Sequence, residues 1–194
     1  MRSRFRIAAL ALAAGLLLGS CGYDAGRGIA DLPASTGWEA LPIGSWVLND
    51  GLDARAVVFC PRMTCPKPGV AALLAFAGEA GRGMEQALSQ SPAALAGAFE
   101  KLASDKAAAL AEQRRRAGRK PEPRTRSGRT DIDRFEADQA QGVQVTLHAA
   151  GTSRRQAVTA ILYGRQDDRL LVALGISDEP DAARQQALAA WRSR

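Results

Sequence analysis

Val143-Gln144-Val145-Thr146-Leu147-His148 is the stretch on which the fold turns, because Val143, Val145 and Leu147 alternate with Gln144, Thr146 and His148. A period of two puts the aliphatic side chains on one face of a strand and the polar ones, His148 included, on the other. Strand-like patterning continues on both sides, over Thr125 to Asp138, Gln156 to Gly164 and Arg169 to Ile176. Gln141-Gly142, Gly151-Thr152-Ser153 and Gln166-Asp167-Asp168 interrupt it. Connections this short imply antiparallel hairpins.

Upstream the period changes to that of a helix. Ser91-Pro92 has the form of an N-cap followed by proline at the first helical position, and no breaker stronger than Gly97 follows until about Ala117. Leu95, Phe99, Leu102 and Leu110 fall at helical spacings with Ala98 and Ala109 beside them, so this main helix is expected to lay an apolar stripe on a sheet. Met84 to Gln90 reads as a short preceding helix, and Gly78, Gly81 and Gly83 as a flexible connection into it. That Gly-x-x-Gly-x-Gly spacing is the reverse of the dinucleotide fingerprint, and no Gly-Lys-Ser/Thr element follows. Ser177-Asp178-Glu179-Pro180 opens a last helix carrying Ala187, Leu188 and Trp191 on one side. Near the start, Gly44 to Leu48 and Arg55 to Phe59 flank the turn signal Asn49-Asp50-Gly51. The order predicts one α+β domain over 38–194: an antiparallel sheet packed against a long mid-chain helix and a C-terminal helix, a two-layer sandwich.

A chain of 194 residues makes one ordinary domain, and 46% apolar with 24% charged residues excludes wholesale disorder, a collagen-like repeat and a polytopic membrane protein. The net charge of +6 suggests nucleic acid until the first twenty residues are set aside. They hold Arg2, Arg4 and Arg6 and no acid, which leaves 23 cations against 20 anions, or +3.

Met1 to Arg6 is a basic segment, and Ile7 to Leu18 is an apolar run of 12 residues, the anatomy of a signal peptide. The run is well short of the roughly 20 residues a helix needs to cross a bilayer. Leu18-Gly19-Ser20-Cys21 follows directly and resembles the lipobox of bacterial lipoproteins. The resemblance implies cleavage between Ser20 and Cys21, a diacylglyceryl thioether on Cys21 and a third acyl chain on the new amine, hence stable anchoring. Gly22 in place of an Asp favours the outer membrane by the sorting rule of such lipoproteins. Residues 21–37 then read as the lipidated N-terminus and a flexible tether, its 16 residues from Gly22 to Gly37 reaching roughly 20 to 25 Å.

Besides Cys21 the chain has Cys60 and Cys65, with four residues between them, in a compartment that permits oxidation. A short-range disulfide is the natural pairing. Thiol-redox chemistry is the alternative, although the spacing is not the two-residue one of thioredoxin-like sites. The single histidine, His148, leaves no metal site or cofactor in view and obliges any nucleophilic mechanism to pass through it. No nucleophile elbow is present to meet it. A hydrolase or redox enzyme therefore stands as the alternative to a non-catalytic binding protein, and a lipid or small-ligand carrier as a third reading.

Arg114, Arg115, Arg116, Arg119, Lys120, Arg124, Arg126 and Arg129 stand against the single Glu122. That segment carries +7, so the rest of the mature chain is about -4. It reads as a solvated loop or as an anion-binding surface for lipid head groups or an acidic envelope partner. The compartment, and the absence of aromatic residues among the cations, disfavour nucleic acid.

The mid-chain helix, the strand around Phe135-Glu136-Ala137, the pair Ala157 to Tyr163 and Leu170 to Leu174, and the terminal helix ending in Trp191 resemble the PsbP-like α/β domain. The resemblance covers about Trp38 to Trp191 and implies a non-catalytic accessory or assembly protein.

Overall fold

In the computed structural model, which describes residues 27–43, 52–118, 129–149 and 156–194, the alternating segments form a seven-stranded antiparallel sheet. In chain order the strands are β1 (Glu39–Ala40), β2 (Leu52–Cys60), β3 (Gly69–Phe76), β4 (Thr130–Ala137), β5 (Ala140–His148), β6 (Gln156–Gln166) and β7 (Arg169–Ser177). Across the sheet they run β1-β2-β3-β7-β6-β5-β4. The helices among the described residues are α1 (Gly78–Ser89), α2 (Pro92–Arg116) and α3 (Pro180–Arg192), with a 3-10 turn at Ala34–Thr36. This is the expected α+β class.

β7 is hydrogen-bonded along both edges, to β3 and β6, and helices cover both of its faces, so its sequence is a continuous apolar run rather than an alternating one. Leu171 and Ala173 point to one face with Ala71, Leu73, Val158, Ala160 and Leu162, and there they meet Ala183, Ala187, Ala190 and Trp191 of α3. Leu170 and Val172 point to the other face with Phe76, Val143, Val145, Ile161 and Tyr163, covered by Met84 and Leu88 of α1 and Leu95 of α2. The helices are thus divided between the two faces of the sheet.

Several expectations are amended. The β4–β5 hairpin turns at Asp138-Gln139, not at Gln141-Gly142: Asp138 (φ 50) and Gln139 (φ 62) both take the left-handed conformation that a two-residue hairpin loop requires. Gly142 lies inside β5, where it leaves room for the ring of Phe135. The glycine-rich segment is helical, since α1 begins at Gly78, whose φ of 56 turns the chain out of β3. Gly81 faces inward there because a Cβ would press on the Phe76 carbonyl. α2 starts at the expected Ser91 cap, whose Oγ accepts the Ala94 N–H at 3.3 Å. Its apolar stripe covers the sheet only at its N-terminal part, along β4: Leu95 is buried, but Phe99 and Leu110 are 37% and 48% exposed. The part of the expected tether that is described, 27–37, packs on the domain, with Ile29 only 2% exposed. The strand expected at Gly44 to Leu48 lies outside the described residues.

α3 approaches the sheet at Gly175, where a Cβ would run into the Ala183 carbonyl oxygen and the Ala187 backbone nitrogen. Gly175→Ala is expected to destabilise the domain by about 1–3 kcal/mol, as overpacking does. Urea denaturation of the variant beside the parent chain measures it.

Candidate functional site

The N-terminal segment, the cysteine loop and α3 converge on one edge of the core. Cys60 closes β2, and Pro61 begins a tight turn whose carbonyl accepts the Cys65 N–H at 3.0 Å. That turn brings the two cysteines together as a disulfide with a Cα–Cα distance of 5.9 Å. Gly37 (φ 92) seats the N-terminal segment against it, since a side chain there would collide with Cys65 Sγ. Trp38, buried in the next position, joins the same apolar cluster as Ile29 and both cysteines. Between these parts and α3 lies a cavity of about 440 Å³, walled by Leu32, Trp38, Pro66, Ala182, Leu188 and Ala189. Lys67, Arg192 and Asp31 also line it. So does Gln186, which is 3% exposed and whose Oε1 has no hydrogen-bond partner.

A second cavity, of about 520 Å³, opens on the other face where α1 gives way to α2. Arg134 donates to the Tyr163 hydroxyl at 2.9 Å and to the Gln90 carbonyl. The same hydroxyl lies 2.9 Å from Gln141 Oε1 and 3.3 Å from the Leu88 carbonyl. Arg134 is therefore already directed at two acceptors, and Glu136 also lines the cavity, so little uncompensated positive charge faces it.

His148 stands at the end of β5, part exposed, with Nε2 2.9 Å from Asp131 Oδ2 on β4. Asp131 Oδ1 accepts from Arg129 Nε at 2.6 Å. The Arg129 guanidinium is the largest influence on Asp131 and, with a smaller contribution from His148, holds its carboxyl below the usual carboxylate range against a partial desolvation. Asp131 in turn raises the Arg129 pKa. The arrangement can orient an imidazole, yet no serine, threonine or cysteine side chain is hydrogen-bonded to His148 among the described residues.

The structure divides the cationic run. Arg115 and Arg116 pair with Glu112 at 2.8 and 3.0 Å on the last turns of α2, and Arg129 is committed to Asp131. Arg114 lies on the same last turn. Arg119, Lys120, Arg124, Arg126 and the lipidation candidate Cys21 lie outside the described residues.

The cavity beside α3 was not anticipated. Its signal in the sequence is Gln186, a polar residue set among Ala182, Ala183, Ala187 and Ala190 on the buried side of the helix. Asp131 was missed for another reason. It faces His148 only through the β4–β5 register, in which Asp131 opposes Thr146.

No protein-family model matches the chain, and no curated protein does. Among solved structures it is similar to LpqN, described as involved in cell envelope biogenesis of Mycobacterium tuberculosis, at 13% identity and a TM-score of 0.35. The match covers 84% of this chain and 78% of that one.

Two measurements check the local chemistry. Replacing both Cys60 and Cys65 by Ser should cost about 2 kcal/mol in denaturant unfolding, the chain-entropy value for so short a loop. The unfolded, unreduced chain lacking Cys21 should show no free thiol. Arg129→Gln should move the Asp131 carboxyl upward, toward its ordinary range, in a carboxyl NMR titration. Because a depressed carboxylate stabilises the fold above its unfolded pKa and ceases to do so as pH falls through the folded pKa, the variant should also lose less stability on acidification.

Proposed function

We propose that this chain is a cell-envelope lipoprotein, cut before Cys21 and anchored through it, whose α+β domain works by binding as an accessory or assembly factor for another envelope component. The observation that carries the reading is Leu18-Gly19-Ser20-Cys21, placed directly after a basic segment and a 12-residue apolar run. The Cys60–Cys65 disulfide supports the same compartment, since such bonds persist outside the reducing cytoplasm. No helix among the described residues is long and apolar enough to cross a membrane, so on this reading attachment falls to the lipid. Gly22 directs the protein to the outer membrane, facing the periplasm. The resemblance to the PsbP-like domain supports a non-catalytic role.

The cationic run belongs to this proposal as a surface for anionic head groups or an acidic partner. Arg114, Arg115 and Arg116 sit where the helix dipole favours cations and serve α2 itself. The cations from Arg119 to Arg126 follow α2 in the sequence and are the part of the run assigned to that surface.

Cys21→Ser should abolish fatty-acid labelling in cells and leave uncleaved precursor. A mature, membrane-retained protein in that variant would overturn the lipoprotein reading. Reversing Arg119, Lys120, Arg124 and Arg126 to Glu should leave the thermal midpoint nearly unchanged and weaken association with anionic liposomes. Wild-type association should fade as salt shortens the screening length below about 10 Å. Equal indifference to anionic and neutral liposomes at low salt would remove the membrane-surface role.

A further inference from the structure

We propose that the cavity between the N-terminal segment, the disulfide loop and α3 is a site for an anionic glycerophospholipid, holding an acyl chain against its apolar walls and the head group at Lys67 and Gln186. The source of the lipid rests on the lipoprotein reading.

The walls come first. Leu32, Trp38, Pro66, Ala182, Leu188 and Ala189 enclose about 440 Å³, within the range of small-molecule sites. The pocket has a polar end. A Cβ on Gly69 would touch the amide of Gln186, so that amide lies over Gly69, two residues from Lys67 in the chain. Leu188 and Ala189 lie farther along α3 and add apolar wall, with Arg192 at the helix end beyond them.

Gln186 Oε1 supplies the second, independent indication. It is an acceptor with no partner, on a side chain 3% exposed that lines the cavity. Buried polar atoms in native proteins rarely go unpaired, and such an exception calls for a missing donor. A head-group hydroxyl is such a donor once the amide turns toward the cavity, and Lys67, exposed on the same lining, suits the adjacent phosphate. Lys67 and Arg192 against Asp31 leave the lining net positive, and because Arg192 is shared with Asp138 at 3.8 Å it is Lys67 that favours an anionic amphiphile over a zwitterionic one.

Chain length identifies the supply. Ile29 is docked in the core, so eight Cα-to-Cα steps separate the proposed anchor at Cys21 from it. Fully extended they span at most roughly 28 Å. The cavity is lined by Asp31 and Leu32, the residues that follow this docking point, so it stays close to the membrane holding the anchor.

The test uses the chain from Gly22, which retains every described residue and therefore the whole described core but lacks Cys21. Isothermal titration calorimetry with 1-myristoyl lysophosphatidylglycerol, below its micelle concentration, should give saturable binding, and the phosphatidylcholine analogue should bind more weakly. Lys67→Glu, at an exposed position, should weaken the glycerol lipid about tenfold, as loss of one charged contact does. It should weaken the choline lipid less, because both lipids carry the phosphate but only the glycerol lipid is net negative. Gln186→Leu should fold normally and weaken the glycerol lipid several-fold, and Leu188→Trp should fill the cavity and remove both. Absence of saturable binding, or binding indifferent to Lys67→Glu and Leu188→Trp, would overturn the proposal. Fatty-acid labelling of Cys21 is read separately. A labelled protein whose Gly22 chain binds neither lipid loses the site and keeps the anchor, whereas an unlabelled one whose Gly22 chain binds keeps the site and loses the anchor.

Discussion

The close seating of α3 on the middle of the sheet is the constraint from which the rest of the structure follows. Its inward side chains are mostly alanines, and beneath them the adjacent strands β3, β7 and β6 contribute Gly69, Gly175 and Gly164. Gly175 admits the helix backbone itself, Gly69 admits the Gln186 amide, and Gly164 lies under the Trp191 ring. Small residues on both sides let two backbones approach at the packing density of a protein interior. The arrangement is locked at one end by Trp191, whose indole N–H donates to the Asp138 carbonyl in the β4–β5 turn at 3.2 Å. On the outer side, Arg184 donates to Gln144 at 2.7 Å and lies over the Phe135 ring, so the helix also governs the far strands. The flank it leaves open is where the N-terminal segment and the disulfide loop close in.

α2 obeys different physics. Beyond Leu95 it makes little use of the core, and a long helix with so little burial needs local support. It has that support: the Ser91 cap, the Lys101–Asp105 pair, Glu112 bridging Arg115 and Arg116, and cations gathered at its C-terminal end. Each is small, and together they favour an alanine-rich helix. The exposed pairs elsewhere, Arg165–Glu85, Arg62–Asp178 and Arg169–Asp53, add little stability in water. They tie β6 to α1, the cysteine loop to the chain before α3, and β7 to β2.

The N-terminal segment shows how a composition-based reading fails. Gly22 to Gly37 is rich in Gly, Asp, Pro and Ser, and such a stretch cannot build a core of its own. It does not need to. Ile29 enters a core that the strands and α3 have already made, and Gly37 lets the chain pass the disulfide into Trp38. A single well-placed apolar residue is enough when the receiving surface exists.

Local signals in the chain were sufficient for the α+β class, the antiparallel pairing from β4 to β7, the Ser91-Pro92 helix start, the terminal helix and the Cys60–Cys65 pairing, because each rests on residues near one another. Turn position is not encoded so locally: Asp138-Gln139 carries no glycine, and Gly142 serves the Phe135 ring across the strand pair instead of a turn. The division of helices between the two faces, the exposure of Phe99 and Leu110, the meeting of Asp131 with His148, and the cavity at Gln186 were settled only by the tertiary structure. They depend on β3 pairing with β7 across about a hundred residues, and on which small residues let a helix come close. Periodicity states that a residue faces inward. Which partner it meets there depends on contacts between segments far apart in the chain, and no local pattern encodes them.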